Sequence, residues 1–261
     1  MLTSDITPLL ITLNEAANIG RCLGRLTWAA EIVVVDSGST DETLEICSGY
    51  DNVRIVHRAF DSFAAQCNFG LGQVCSGWVL SLDADYIVPE SFVGEVAELP
   101  DDVAGYSARF RYCISGRPLR ACPYPDRVVL YRVSSARYED LGHGHRVRVS
   151  GATKKLKSMI DHDDRKSLRR WLDSQYRYAS QEAEHLGASA HHELAKPDRI
   201  RKMVCPAAPL VFLYTLIWKG CLLDGRAGWF YVLQRTYAEV LLSLLLIQRH
   251  LSETDGDRNA G

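Results

Sequence analysis

Two carboxylates one residue apart, Asp83 and Asp85, close an apolar run in the stretch WVLSLDADYIVPESF, residues 78–92. Like charges held close cost free energy unless a cation or a hydrogen-bond network compensates them. In extended backbone, residues i and i+2 project to one side, so the pair is expected to share a hard divalent cation or divide between a cation and a ribose hydroxyl. Mg2+ takes one or two protein carboxylates and completes its shell with water and substrate phosphates. A lone Asp-x-Asp is weak evidence, but two further apolar runs end on polar groups: ITPLLITL runs into Thr12-Leu13-Asn14-Glu15, and EIVVVD into Asp36-Ser37-Gly38-Ser39. Asp36 also has a plain reading as a turn or helix cap ahead of Ser39-Thr40-Asp41.

These groups need elements that bring them to one edge. The first hundred residues alternate: strands at 6–13, 31–36, 52–57 and 78–83, helical patterns at 14–29, 37–50 and 62–75. Asn14 is the expected cap of the first helix. Strands apolar on both faces, separated by helices, predict an α/β fold with a mostly parallel central sheet and crossover helices. Ligands of such sheets bind at the carboxyl ends of the strands, where strand order reverses. After residue 100 the pattern changes to strand-like alternation at 105–115 and 126–135, then a helix over 165–187 and two amphipathic helices between 205 and 250. The organisation expected is a catalytic domain over 1–200 (halves 1–100 and 101–200), helices over 201–251, and a disordered tail over 252–261.

The totals exclude several classes. The chain has 261 residues, 47% hydrophobic and 24% charged, with a formal net charge of −2 that exerts no global pull toward nucleic acid. The eight cysteines include no CxxC pair, which argues against a zinc or redox site, and they are expected to be reduced thiols in a cytoplasmic protein. MLTSDITPLL lacks the features of a secretory signal. No run of about 18 uninterrupted apolar residues occurs, so no spanning helix is expected. The greasy stretches 209–223 and 228–247 instead suit a core, a homodimer interface or a membrane surface.

The segments LLITLNEAANIGRCL, EIVVVDSGSTDETLEI and WVLSLDADYIVPESF resemble the nucleotide-sugar motifs of the inverting family 2 glycosyltransferases, which have the GT-A fold. DHDDRKSLRRWLDSQYRYASQEAEHL and GCLLDGRAGWFYVLQRTYAEVLLSL are similar to the bacterial branch that builds lipopolysaccharide core and related surface glycans. The resemblance implies that Thr12, Leu13, Asn14 and Glu15 hold base and ribose, and that Asp36, with Ser37, binds the base. It implies that Asp83 faces ribose and metal, with Ala84 beside it, and that Asp85 ligates Mg2+ or Mn2+ at the diphosphate. Gln66 and Asn68 would line the nucleotide pocket, His162 would join the metal, and Arg165 and Lys166 would neutralise the diphosphate.

Inversion is a single in-line displacement and needs a base for the acceptor hydroxyl. The resemblance points to Asp140, with Glu139 and His143 behind it. Many surface-glycan relatives carry a His-Glu pair where this chain reads His145-Arg146. The implied partners are a nucleotide-diphosphate sugar, UDP-sugar first, and a glycan or glycolipid acceptor, with peripheral contact to the inner membrane. The stretch 146–177 supports that contact, with ten Lys/Arg against four Asp. Two other readings compete: a catalytically silent nucleotide-sugar-binding protein, and a sugar-1-phosphate nucleotidyltransferase. The latter wants a Gly-rich, basic loop after the first strand, which TLNEAANIG does not supply.

Overall fold

A computed structural model describes residues 2–122, 124–141, 144–189, 192, 194–204 and 206–259, the side chains of 141, 144, 145 and 253–259 excepted. The chain divides into two units. The first comprises Met1–Pro118 with Cys122–Arg165, and the second Leu119–Ala121 with Lys166–Gly261.

In the first unit, β1 (Ile6–Thr12), β2 (Ile32–Asp36), β3 (Val53–His57) and β4 (Trp78–Asp83) lie parallel in the order β3-β2-β1-β4. Both faces of this half are covered. Leu10, Val34 and Leu80 join one apolar cluster, while their neighbours Leu9, Val33, Val35 and Val79 join another on the opposite face. That double burial is why these strands read as continuous apolar runs rather than as alternating ones. The connecting helices are α1 (Ile19–Leu23), α2 (Thr43–Ser48) and α3 (Phe63–Leu71). The helical pattern over 14–29 yields only the five residues of α1, capped by Asn18 rather than Asn14. Asn14 is instead in the left-handed region (φ 56°), where its Oδ1 accepts from the backbone N–H groups of Thr40 at 2.7 Å and Asp41 at 3.3 Å.

The α/β class is as expected, but the sheet's second half is mixed rather than parallel. β5 (Tyr86–Ile87) follows β4 after a two-residue turn, and α4 (Ser91–Glu98) follows it. The sheet continues through β6 (Gly105–Ile114), β8 (Arg127–Arg132) and β11 (Thr153–His162), and β7 (Arg117–Pro118) pairs with β6. The order runs β4-β8-β6-β11-β5, with β8 antiparallel to both neighbours, β6 parallel to β11, and β5 antiparallel to β11. A separate antiparallel pair, β9 (Ala136–Leu141) and β10 (Gly144–Val149), packs on α3.

The second unit is helical: α5 (Leu168–Ala188), α6 (Lys196–Lys202), α7 (Ala207–Leu213) and α8 (Gly225–Asn259). The helix α5, expected with the catalytic half, groups with the C-terminal helices. Ala179, Ala183 and Leu186 of α5 pack with Leu242 of α8. Glu239 of α8, 4% exposed, is compensated by Arg201 of α6 at 2.9 Å. The tail expected to be disordered continues α8 as far as Asn259. The segment Cys221–Ser252 is, by length and composition, apolar enough to cross a membrane, contrary to the expectation from its polar interruptions. Those interruptions are absorbed because one face of α8 packs inside the unit. Among the described residues no cysteine forms a disulfide; five are buried, Cys75 is exposed and Cys122 half-buried.

Candidate functional site

The strand order β2-β1-β4 sets the tips of β2 and β4 on either side of β1, which is the reversal point where open parallel sheets bind ligands. β1 pairs Thr12 with Asp36 on one side and Ile11 with Asp83 on the other. One rim therefore carries Thr12, Asp36 and Asp83, as the sequence predicted.

Asp83 ends β4 and the chain turns at Ala84-Asp85, so the two acids are not an extended i, i+2 pair. The turn exists because β5 leaves the β4 direction to pair with β11, Tyr86 opposite His162 and Ile87 opposite Asp161. The Asp163 N–H then donates to the Asp85 carbonyl at 3.0 Å. This register places Asp85 Oδ2 at 3.1 Å from His162 Nε2, a contact spanning 77 residues of sequence. Both side chains are largely buried, with 13% of His162 and 14% of Asp85 exposed. Three tyrosines enclose the imidazole: Tyr124 is stacked on it at 5.1 Å, and Tyr86 and Tyr112 approach edgewise at 5.2 and 5.1 Å. Burial in this cage disfavours the imidazolium, but the Asp85 hydrogen bond and the charges of Asp85, Asp83 and Asp164 outweigh it and raise the His162 pKa. Burial and the neighbouring Asp83 and Asp85 charges also push the Tyr86 hydroxyl far up, so it stays protonated.

His162 Nδ1 is buried without a hydrogen-bond partner among the described residues. Asp85 and His162 in contact offer one oxygen and one nitrogen of the types that ligate divalent cations. No cluster of three or more His, Cys, Asp or Glu side chains able to enclose a metal occurs among the described residues.

The segment carrying His162 is fixed by residues the sequence reading did not assign. Asp163, 4% exposed, receives Arg21 Nη1 at 2.8 Å, Arg165 Nε at 2.8 Å and the Gly116 N–H at 2.9 Å. Asn18, fully buried, accepts from the Arg165 N–H at 2.8 Å and Arg21 Nη2 at 2.9 Å, and donates to Asp164 at 2.8 Å. Burial alone would raise the Asp163 pKa, but Arg165, the Gly116 N–H and Arg21 hold it below the usual carboxylate range. The only signal for this network was the i, i+3 spacing of Asn18 and Arg21 and the repeated acids of DHDD. Arg165, expected at the diphosphate, is committed to Asp163. Lys166 opens the second unit.

The nucleotide-pocket candidates separate in the structure. Asp36, fully buried, accepts Thr12 Oγ1 at 3.3 Å, Ser39 Oγ at 2.5 Å, and the N–H groups of Gly38 and Ser39 at 2.9 Å each. Burial opposes its ionisation, and these donors lower its pKa all the same. Its carboxylate organises the turn that follows β2. Gln66, also fully buried, donates to Ser37 Oγ and to the Arg58 carbonyl, both at 2.9 Å, and its Oε1 is buried without a partner among the described residues. Gln66 therefore does stand with Ser37. Asn68 does not: it bridges to the backbone N–H and carbonyl of Tyr138, both at 2.9 Å, and ties α3 to β9. Leu13 is exposed, and the Glu15 carboxylate accepts from Asn18 at 3.0 Å.

Of the base candidates, Asp140 accepts Ser62 Oγ at 2.9 Å and the Ala64 N–H at 3.2 Å, at the start of α3. Glu139 pairs with Arg148 at 2.9 Å. His143 lies outside the described residues.

Residues 9–122 match the description Glycosyl transferase family 2. Over 117 residues the chain is 32% identical to the lipopolysaccharide core biosynthesis glycosyltransferase LpsC of Rhizobium meliloti (strain 1021), covering 42% of this chain and 43% of that protein. Over 97 residues it is 32% identical to an uncharacterized glycosyltransferase of Rickettsia bellii (strain RML369-C), covering 37% and 33%. The matches thus span less than half the length of these curated relatives. Among solved structures, S. aureus TarS 1-349 in complex with UDP-GlcNAc aligns over 90% of each chain at 14% identity and a TM-score of 0.49. Over residues 9–122 the chain carries a glycosyl transferase family 2 domain.

Proposed function

We propose that this chain is a metal-dependent, inverting glycosyltransferase that moves a sugar from a nucleotide-diphosphate sugar, UDP-hexose first, to a glycan or glycolipid acceptor. The observation that carries the reading is the Asp85–His162 contact at 3.1 Å beside Asp83, on a rim where open parallel sheets bind ligands. Asp85 and His162 would hold Mg2+ or Mn2+, and Asp83 would face the ribose. The bound cation would supply positive charge for the departing diphosphate. Gln66 Oε1 offers a buried acceptor that a nucleobase N–H would satisfy. Asp140, exposed and oriented by Ser62 and Ala64, is the base that takes the acceptor hydroxyl's proton. The name of the relative LpsC supports a lipopolysaccharide-core or similar acceptor, used at the cytoplasmic face of the inner membrane.

A second reading, a catalytically silent nucleotide-sugar-binding protein, is favoured by one observation: Glu139 and Asp140 both already have protein partners. Nucleotide release from a panel of UDP-sugars, with and without Mn2+, separates the two. The transferase reading expects Mn2+-dependent turnover that Asp85→Asn abolishes. UDP-sugar binding without any turnover would assign the chain to the silent class.

A further inference from the structure

The second unit presents a surface that the proposed chemistry does not use. α7 continues as a π-helical turn over Tyr214–Trp218, reverses at Gly220 (φ 74°), and returns through Cys221–Asp224 into α8. The turn Cys221–Asp224 lies so close to the start of α8 that a side chain at position 228 would meet the Cys221 carbonyl at 1.9 Å, which only glycine avoids. The tip of this hairpin is apolar and exposed: Ile217 66%, Trp218 82%, Leu222 52% and Leu223 70%. Along α8 the exposed apolar surface continues through Leu233, Tyr237, Val240, Leu244, Ile247 and Leu251. Soluble monomers seldom leave so extended an apolar surface open, and a stripe of this kind marks an interaction face.

The charge of the hairpin selects its partner. Toward the tip, between residues 207 and 238, lie three basic residues, Lys219, Arg226 and Arg235, and one acid, Asp224, whereas the acids Glu253, Asp255 and Asp257 lie at the opposite end of α8. Asp224 is ion-paired by Arg120 at 3.2 Å, and Glu239, farther along α8, by Arg201 at 2.9 Å. The hairpin tip is therefore apolar with a local positive excess. Trp218 beside Lys219, with Trp229 and Arg226 in the next turns, is the residue mixture that settles at a headgroup boundary.

A second copy is the rival occupant, because positions 233, 237, 240, 244, 247 and 251 keep a strict four-three spacing. A coiled coil, however, uses a narrow seam flanked by complementary charges. Here the flanking positions are Gln234, Thr236, Leu241, Ser243, Gln248 and His250, which hold no such pairs, and the apolar surface extends well beyond the seam onto the hairpin tip. A spanning helix is disfavoured as well, because α8 packs its other face on α5 and buries the Glu239–Arg201 pair there.

We propose that the hairpin formed by α7 and α8 docks the protein on an anionic lipid bilayer, lying on the surface with Trp218 and Leu223 inserted. The inference deepens the glycolipid-acceptor reading, yet its test requires no turnover. The full chain is floated with vesicles of phosphatidylcholine alone and of phosphatidylcholine with phosphatidylglycerol. Binding is expected to favour the anionic vesicles and to weaken with salt. The double variant Trp218→Ser, Leu223→Ser should lower partitioning about tenfold or more, and Lys219→Glu with Arg226→Glu should remove the anionic preference. Trp218 and Leu223 are exposed, so the urea midpoint of the serine double variant should not move. If a variant nonetheless misfolds, quenching of wild-type tryptophan fluorescence by brominated lipid reports insertion directly. Absence of flotation and quenching overturns the proposal. So does a soluble dimer that Leu233→Glu with Leu244→Glu dissociates, which would assign the face to a second copy. Lipid binding without UDP-sugar turnover would leave docking intact and refute only the transferase reading.

Discussion

Asp36 ends β2 and Asp85 lies in the turn just past β4, the two parallel strands that flank β1, and their surroundings are opposites. Asp36 is fully buried and takes four hydrogen bonds from Thr12, Gly38 and Ser39. Asp85 faces an imidazole whose other nitrogen is buried without a hydrogen bond among the described residues. A carboxylate saturated by its own loop stabilises the loop. One paired with a titratable metal-ligand type can exchange that partner for a cation. Two aspartates that match equally well in a sequence motif thus stand in different surroundings, and on the proposed function Asp85 is the one that would ligate the cation.

The largest effect should come from Asp85→Asn, which is expected to lower Mn2+-dependent turnover about 1,000-fold while leaving the urea midpoint near that of the wild type. A loss of folding stability of the same size as the activity loss would erase the contrast with Asp36. Next, Asp36→Asn should destabilise the fold by about 2–3 kcal/mol, because an amide presents N–H to donors that need an acceptor. Urea denaturation measures this. Loss of nucleotide binding at unchanged stability would instead return Asp36 to the base-contact role.

Acid should act in the same sense. The folded Asp36 and Asp163 pKa values are depressed, so their contribution is complete above the ordinary aspartate value of 3.8 and is lost as pH falls through the folded values. The urea midpoint should therefore drop below pH 3.8, and less so in Asp36→Asn. A midpoint that rose on acidification would contradict both assignments. The smallest effect is expected at Ser62, the cap of α3, where Ser62→Ala should cost about 1 kcal/mol and also loosen Asp140. Comparing kcat in Ser62→Ala and Asp140→Asn at matched stability separates orientation of the base from the base itself.

Much of this was legible in the chain. ITPLLIT, IVVVD and WVLSLD are apolar on both faces and stop at polar residues, which is the pattern of parallel strands with a ligand rim. The motif resemblance added roles, and for Gln66 beside Ser37 the structure brings the expected neighbours together. It was misleading for Asn68 and Arg165, since a motif specifies position along the chain and not which neighbour claims a side chain. The helix expected over 14–29 failed for a local reason: Asn14 adopts a left-handed turn and serves the 40–41 loop.

Sequence by itself determined the parallel half of the sheet, the acidic strand tips and the apolar C-terminal helices, because burial on two faces, turn chemistry and helical periodicity are written in consecutive residues. Only the tertiary structure decided that β5 turns back to pair with β11, that His162 therefore meets Asp85 across 77 residues, and that Asn18, Arg21 and Asp163 clamp this junction. It also decided which face of α8 is buried and which is open. Such pairings depend on strand order and on competition among partners distant in the chain, and no short window of sequence contains both sides of them.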